Sequence, residues 1–141
     1  LWPNIDAGTD EISKELRIFN LQKRDFPLRF FINFPIIDYA KFMNNASCFI
    51  GNSSSALREG AFLGVPSVNI GSRQSNRERG RNVMDADYDS IEIYEAATYQ
   101  INHGKYESDH IFGDGATSKK MVETLKTVDL DVNKAFVDLE F

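Results

Sequence analysis

Apolar positions along the 141 residues switch repeatedly between strand-like and helix-like spacing. Strands are predicted at 28–34, stopped by Pro35, and at 47–50, 68–70 and 82–84, while residues 1–2 resemble the end of a truncated strand. Helices are predicted around Ile12, Leu16 and Phe19, at 36–45, 55–63 (ended by Gly64) and 90–101, and around Met121, Val122, Leu125 and Val128. This alternation favours parallel pairing, so we expect an α/β domain: a doubly wound, Rossmann-like parallel sheet with helices on both faces.

Two polar loops follow predicted strands. Residues 51–55, called here the serine turn, follow the strand at 47–50, and residues 71–81, the arginine loop, follow the strand at 68–70. Ligands of parallel α/β sheets bind beyond the carboxyl ends of the strands. The two loops are therefore expected to face one crevice.

The serine turn has the composition of an anion site. Unpaired N–H groups at the start of the following helix, together with serine hydroxyls, can donate to a phosphate. Glu59 lies four residues after Ser55, on the same helical face, and would suit a ribose diol. It is not a capping-box glutamate, because position 58 is Arg. The alternative is a plain N-cap, a common role for serine.

The arginine loop is a positive segment in an acidic chain. It carries four arginines and one glutamate, whereas the formal net charge of the whole protein is −5. Arginine binds phosphate through two parallel hydrogen bonds, and a local positive patch concentrates anions. The alternative is a solvated loop that pairs with nearby acids.

Other features limit the range of functions. The single cysteine, Cys48, cannot form an internal disulfide, and its apolar surroundings favour a structural role. The Gly113–Gly115 segment fails the common phosphate-loop patterns and predicts a tight turn before the last helix. With no Cys/His metal spacing, membrane-length apolar run or visible secretory leader, we expect no metal, no cofactor and a cytoplasmic protein that contacts no membrane.

Five segments together resemble one known family. They are residues 51–55 with Arg58 and Glu59, residues 64–71, the pair Arg73 and Gln74, residues 3–8, and residues 112–116. In their order along the chain they resemble the UDP-N-acetylglucosamine 2-epimerases of the hydrolysing subtype, over roughly residues 1–127. The resemblance implies one lobe of a two-lobe fold of the glycosyltransferase-B type. Residues 1–128 would be most of the C-terminal, UDP-binding lobe, truncated at its N-terminus, and residues 129–141 are assigned no role.

The resemblance also implies a reaction. The intact enzyme would remove the C2 proton, release UDP and add water, giving N-acetylmannosamine. The partner lobe of the same protein would supply the catalytic carboxylates and a dimer contact. The 141 residues would then hold no catalytic residue except Arg73, as a transition-state stabiliser, and the fragment alone is expected to be inactive. His103 and His110 match no catalytic position and are expected at the surface.

Site residues follow from the same resemblance. Ser53 and Ser54 would hold the diphosphate with Arg73, and Glu59 would bond the ribose hydroxyls. Tyr39 would stack on uracil, with core packing as its alternative, and the main chain near Phe34 would contact the base edge. Asn4 would contact substrate. The remaining candidates are Asn52, Ser55, Arg77 and Arg81, of which the two arginines could reach phosphate or tie the loop to Glu78 and Asp85.

Two other functions fit parts of this pattern. The donor-binding lobe of a glycosyltransferase would also place a serine turn and a glutamate around a nucleotide sugar. A nucleic-acid module could use the arginine loop, but the acidic balance of the chain and the lack of interleaved aromatic residues argue against it. The exact sugar stays open between UDP-N-acetylglucosamine and a related diamino or modified sugar nucleotide.

Overall fold

A computed structural model describes residues 1–3, 8–22 and 26–129. Its helices are α1 (Thr9–Gln22), α2 (Ile36–Asn44), α3 (Ser54–Leu57), α4 (Glu59–Leu63), α5 (Ser90–His103) and α6 (Thr117–Thr127). The strands are β1 (Phe49–Gly51), β2 (Ser67–Ile70) and β3 (Val83–Ala86), and a 3-10 turn spans Ser72–Gln74.

The three strands form one parallel sheet in the order β1-β2-β3. Gly51 pairs with Asn69 across β1 and β2, and Asn69 pairs with Asp85 across β2 and β3. Because all three strands run the same way, their carboxyl ends lie at one edge of the sheet. This confirms the α/β Rossmann-like prediction and places the serine turn and the arginine loop at that edge.

Helices cover both faces of the sheet. Val68 of β2 is fully buried and packs with Ala86 and with Ala96 and Ala97 of α5, whose small side chains allow a close approach. Neighbouring strand residues face opposite sides of the sheet, and the Ser67 hydroxyl lies 3.6 Å from where a β-carbon on Gly60 of α4 would stand. The prediction of helices on both faces is therefore confirmed.

Buried amides join the layers. The side-chain amide of Asn82 donates to the main-chain oxygens of Ala56 (3.1 Å) and Val65 (2.8 Å). The amide of Gln100 on α5 donates to the oxygens of Ser67 (2.9 Å) and Asn82 (3.1 Å). These bonds satisfy main-chain oxygens that would be costly to bury unpaired.

The strand predicted at 28–34 is wrong. The segment is not a strand, and the Trp2 N–H donates to its Phe31 oxygen at 2.7 Å without a ladder around that bond. Its aromatic side chains instead pack on α2, with the rings of Phe34 and Phe42 centred 5.3 Å apart. The apolar pattern of this segment therefore reflects an aromatic cluster, since a strand requires a continuous ladder of partners.

The helix predicted at 55–63 begins one residue earlier and is divided. Ser53 is the N-cap of α3, and Arg58, at the edge of the right-handed helical region (φ −90°, ψ −73°), separates α3 from α4. Gly64 ends α4 in the left-handed conformation (φ 66°, ψ 30°), as predicted. Glu59 is thus the first residue of a new short helix rather than the fifth of a continuous one.

The last described helix, α6, leaves its apolar side chains exposed. Met121, Val122, Leu125 and Val128 all remain substantially solvent-accessible. The preceding turn is tight as predicted, and Asp114 accepts a hydrogen bond from the Ala116 N–H at 3.0 Å. Across the described ranges, the structure contains no helix long and apolar enough to span a lipid bilayer.

Candidate functional site at the carboxyl edge of the sheet

The serine turn holds a chain of three hydroxyls. The Tyr39 hydroxyl lies 2.7 Å from Ser55 Oγ, which lies 2.9 Å from Ser53 Oγ. Ser53 Oγ also accepts from the Ser55 N–H at 3.3 Å, as an N-cap does. Ser53 therefore has the geometry of an N-cap, as the alternative interpretation of the serine turn predicted. The hydroxyl groups of Tyr39 and Ser55 are further potential donors beside it.

The three hydroxyl groups carry three protons, and the two hydrogen bonds between them use two, so one proton can be donated to another group. When Tyr39 donates to Ser55 and Ser55 donates to Ser53, both lone-pair positions of Ser53 Oγ are occupied and its proton is available outward. The opposite direction leaves the spare proton on Tyr39. An anion beside Ser53 would select the first arrangement, because it requires a donor.

Tyr39 belongs to an aromatic cluster as well as to the hydroxyl chain. Its ring is stacked on that of Phe34, with the centroids 6.4 Å apart, and Phe34 in turn contacts Phe42. Tyr39 and Phe34 are both partly buried. The sequence placed these two residues at one nucleotide site, and the structure brings them together beside the serine turn.

The arginine loop is attached directly to the serine turn. The side-chain amide of Gln74 donates to the main-chain oxygen of Asn52 at 2.8 Å, and Gln74 is only 2% exposed. Arg73, exposed, is its immediate neighbour in the 3-10 turn. The two loops that the sequence expected at one edge are therefore joined at that edge.

A second arginine of the loop, Arg79, attaches the arginine loop to β3. Arg79 forms an ion pair with Asp85 and donates to the main-chain oxygen of Gln74 at 2.9 Å. The sequence suggested Arg77 or Arg81 for the tie to Asp85, but in the structure Arg79 makes it. The Arg81 N–H instead lies 3.4 Å from an Asp109 carboxylate oxygen.

The other predicted residues are distributed around this edge. Ser54 is the first residue of α3 and Glu59 the first of α4, where the Glu59 side chain is exposed. Asn4 lies outside the described residues. His103 and His110 are exposed, as expected.

Cys48 does not contribute a nucleophile. Its side chain packs against the Val68 cluster, and burial raises the pKa of the thiol. A thiol held in its neutral form reacts poorly. The structural role predicted for this cysteine fits its environment.

Comparison with known proteins identifies the family. The family model for UDP-N-acetylglucosamine 2-epimerase matches residues 1–126. The chain belongs to this family.

Curated relatives agree with the match. The chain is 34% identical over 148 residues to the UDP-N-acetylglucosamine 2-epimerase of Neisseria meningitidis serogroup B, covering 99% of this chain and 37% of the relative. It is 32% identical over 130 residues to a hydrolyzing UDP-N,N'-diacetylbacillosamine 2-epimerase of Legionella pneumophila, covering 92% and 34%. A hydrolyzing GDP/UDP-N,N'-diacetylbacillosamine 2-epimerase of Campylobacter jejuni is also 32% identical, over 123 residues, covering 84% and 32%.

The chain spans about a third of the length of these curated relatives. Membership of the epimerase family favours the epimerase interpretation of the sequence over the glycosyltransferase alternative.

Proposed function

We propose that this chain is the UDP-binding lobe of a hydrolysing UDP-N-acetylglucosamine 2-epimerase with the glycosyltransferase-B architecture. The observation that carries the proposal is the bond from Gln74 to the Asn52 oxygen, because it joins the serine turn to the loop of Arg73. Hydroxyl and guanidinium donors at one sheet edge suit a diphosphate. A cytoplasmic location remains part of this proposal and rests on the sequence.

The lobe would act on the leaving group. When the C1–O bond of the sugar breaks, negative charge accumulates on the β-phosphate of UDP. Donors already held at the serine turn and at Arg73 would stabilise that charge without rearranging. Glu59 would bond the ribose hydroxyls, while the other lobe would supply the carboxylates that remove the C2 proton and the residues that contact the sugar.

The substrate is proposed as a UDP-linked 2-acetamido sugar. The relatives named above act on N-acetylglucosamine or N,N'-diacetylbacillosamine nucleotides, and an Escherichia coli relative, 37% identical over 82 residues, is a polysialic acid biosynthesis protein. These names support a role in amino-sugar biosynthesis. Incubating the full-length protein with UDP-N-acetylglucosamine and no acceptor should release free N-acetylmannosamine and UDP, whereas a requirement for an acceptor would indicate a glycosyltransferase.

The 141-residue chain should bind UDP weakly on its own. The other lobe would complete the cleft around the bound ligand, so in its absence we expect a Kd on the order of 1 mM, or about 4 kcal/mol of binding free energy. Titration followed by NMR should shift amide signals of the serine turn and the arginine loop. Calorimetry showing micromolar binding would contradict a ligand shared between lobes, and signals that do not move at 10 mM UDP, about ten times that Kd, would contradict UDP binding.

Removing the Tyr39 hydroxyl should weaken UDP binding while leaving uridine binding unchanged. Tyr39→Phe keeps the ring but removes the donor that orients Ser55 and Ser53, so about one neutral hydrogen bond, or 3- to 10-fold in UDP affinity, is expected to be lost. The measurement is the ratio of UDP to uridine affinity in the full-length protein.

Tyr94→Phe on α5 is the matched control, because Tyr94 is 71% exposed and on the opposite helix layer. Its ratio should equal that of the wild type. If Tyr39→Phe also leaves the ratio unchanged, Tyr39 contributes only through its ring.

A further inference from the structure

Gln74 is buried in a loop whose surroundings are open. It is 2% exposed, whereas the residues on either side of it, Arg73 and Ser75, are exposed. Its amide Nε2 donates to the Asn52 oxygen, but within the part of the chain that the structure describes its Oε1 has no hydrogen-bond partner. A buried polar side chain with one unpaired atom is costly, so its presence at this position calls for an explanation.

The main chain of Gln74 is anchored to the sheet. Its carbonyl oxygen accepts from Arg79, and Arg79 pairs with Asp85 at the end of β3. Asp85 also accepts from the side-chain amide of Asn69 on β2, at 2.8 Å. A continuous set of hydrogen bonds therefore runs from two strands to the Gln74 main chain.

The side chain of Gln74 extends this anchor to a third strand. Asn52, whose oxygen it contacts, directly follows β1 and directly precedes Ser53. Gln74 thus connects a frame built on β2 and β3 with the start of the serine turn. Removing this side chain would remove the hydrogen bond that joins the serine turn to the arginine loop, and it touches none of the pairings between the strands.

We propose that Gln74 is a positioning residue that sets the spacing between the Ser53 and Ser54 donors and the Arg73 guanidinium, so that both can contact one diphosphate. This inference rests on the proposed function. Arg73 lies one residue before Gln74 in the same 3-10 turn, so fixing the main chain of Gln74 restrains the point from which the Arg73 side chain extends. Donors held at a fixed spacing bind and stabilise charge better than donors that must be ordered on binding.

The test substitutes Gln74→Met, which keeps the length of the side chain and removes the amide. Gln100→Met is the matched control, because Gln100 is a glutamine of similar burial (1% exposed). It donates to the main-chain oxygens of Ser67 and Asn82, at the amino ends of β2 and β3 and so at the edge of the sheet opposite the candidate site. UDP and uridine affinities are measured for both variants in the full-length protein, together with amide hydrogen exchange without ligand.

We expect Gln74→Met to weaken UDP binding about 10-fold and uridine binding less than 2-fold, since only the phosphate donors lose their alignment. Amide exchange should accelerate at residues 52–55 and 72–74 but not in β2. Gln100→Met should leave the UDP to uridine ratio unchanged even where it lowers stability.

A double-mutant cycle separates positioning from general structure. If Gln74 acts through Arg73, adding Gln74→Met to Arg73→Ala should cost little more UDP affinity than Arg73→Ala alone. Losses that multiply, equal weakening of uridine, or unchanged exchange at the serine turn would each overturn the inference. Suppose instead that Gln74→Met accelerates amide exchange but the wild type does not bind UDP. That result would overturn the proposed function, while the role of Gln74 in joining the two loops would stand.

Discussion

Replacing Arg73 with alanine in the full-length protein is expected, on the proposed function, to lower kcat by about 10²–10³-fold, with a smaller change in KM. The reason is that charge on the β-phosphate grows as UDP departs, so a guanidinium contact strengthens between the bound substrate and the transition state. Steady-state kinetics of UDP-N-acetylglucosamine hydrolysis measure the split between kcat and KM.

Two further variants define the origin of this effect. Arg73→Lys keeps the charge but loses the bidentate fork, so its kcat should fall between those of the wild type and the alanine variant. Lys119→Ala removes the same charge from the exposed surface of α6 and should leave both constants unchanged. A raised KM with wild-type kcat in Arg73→Ala would show that Arg73 binds substrate and transition state equally.

Local sequence patterns were sufficient to predict most strands of the sheet. The segment 68–70 alternates apolar, polar and apolar residues (Val68, Asn69, Ile70) before a glycine, and β2 indeed spans Ser67–Ile70. The segment 28–34 has an equally strong apolar pattern but forms no strand. A pattern reports that side chains are buried or clustered, whereas a strand also needs a neighbour to complete its ladder.

The location of the candidate site was predictable, but its internal connections were not. Serines and arginines after neighbouring strands were expected to meet, because strand order alone brings their loops to one edge. The roles of Gln74 and Arg79 depend on contacts with Asn52 and Asp85, which are 22 and 6 residues away. No local spacing rule encodes such contacts, although a glutamine beside a candidate ligand arginine is a signal that could have been followed.

The break at Arg58 also escaped prediction. The residues of 55–63 all tolerate a helix, so nothing in the local pattern requires an interruption. In the structure the Arg58 guanidinium lies over the ring of Phe112, 5.6 Å from its centre, and Phe112 follows the segment that docks on α4. A contact with the C-terminal half of the chain therefore lies at the division between α3 and α4, and the sequence near Glu59 gives no sign of that contact.

That docking depends on Gly64. The glycine has φ 66°, and a β-carbon there would lie 2.1 Å from the main-chain oxygen of Tyr106. Its carbonyl accepts from the Tyr106 N–H at 2.9 Å, and the Asp109 N–H donates to Ala61 at 2.9 Å. The connection after α5 is therefore packed directly against the end of α4, main chain to main chain.

Gly64→Ala is accordingly expected to lower the free energy of unfolding by about 3 kcal/mol, combining left-handed strain with displacement of the 104–110 segment. Chemical denaturation of the 141-residue chain measures the loss. Gly115→Ala is the matched control, because Gly115 also has positive φ (80°) but open space around its β-carbon position. It should cost only about 1 kcal/mol. Equal losses in the two variants would mean that backbone strain alone determines the effect, and that the 104–110 segment is not held against α4 in solution.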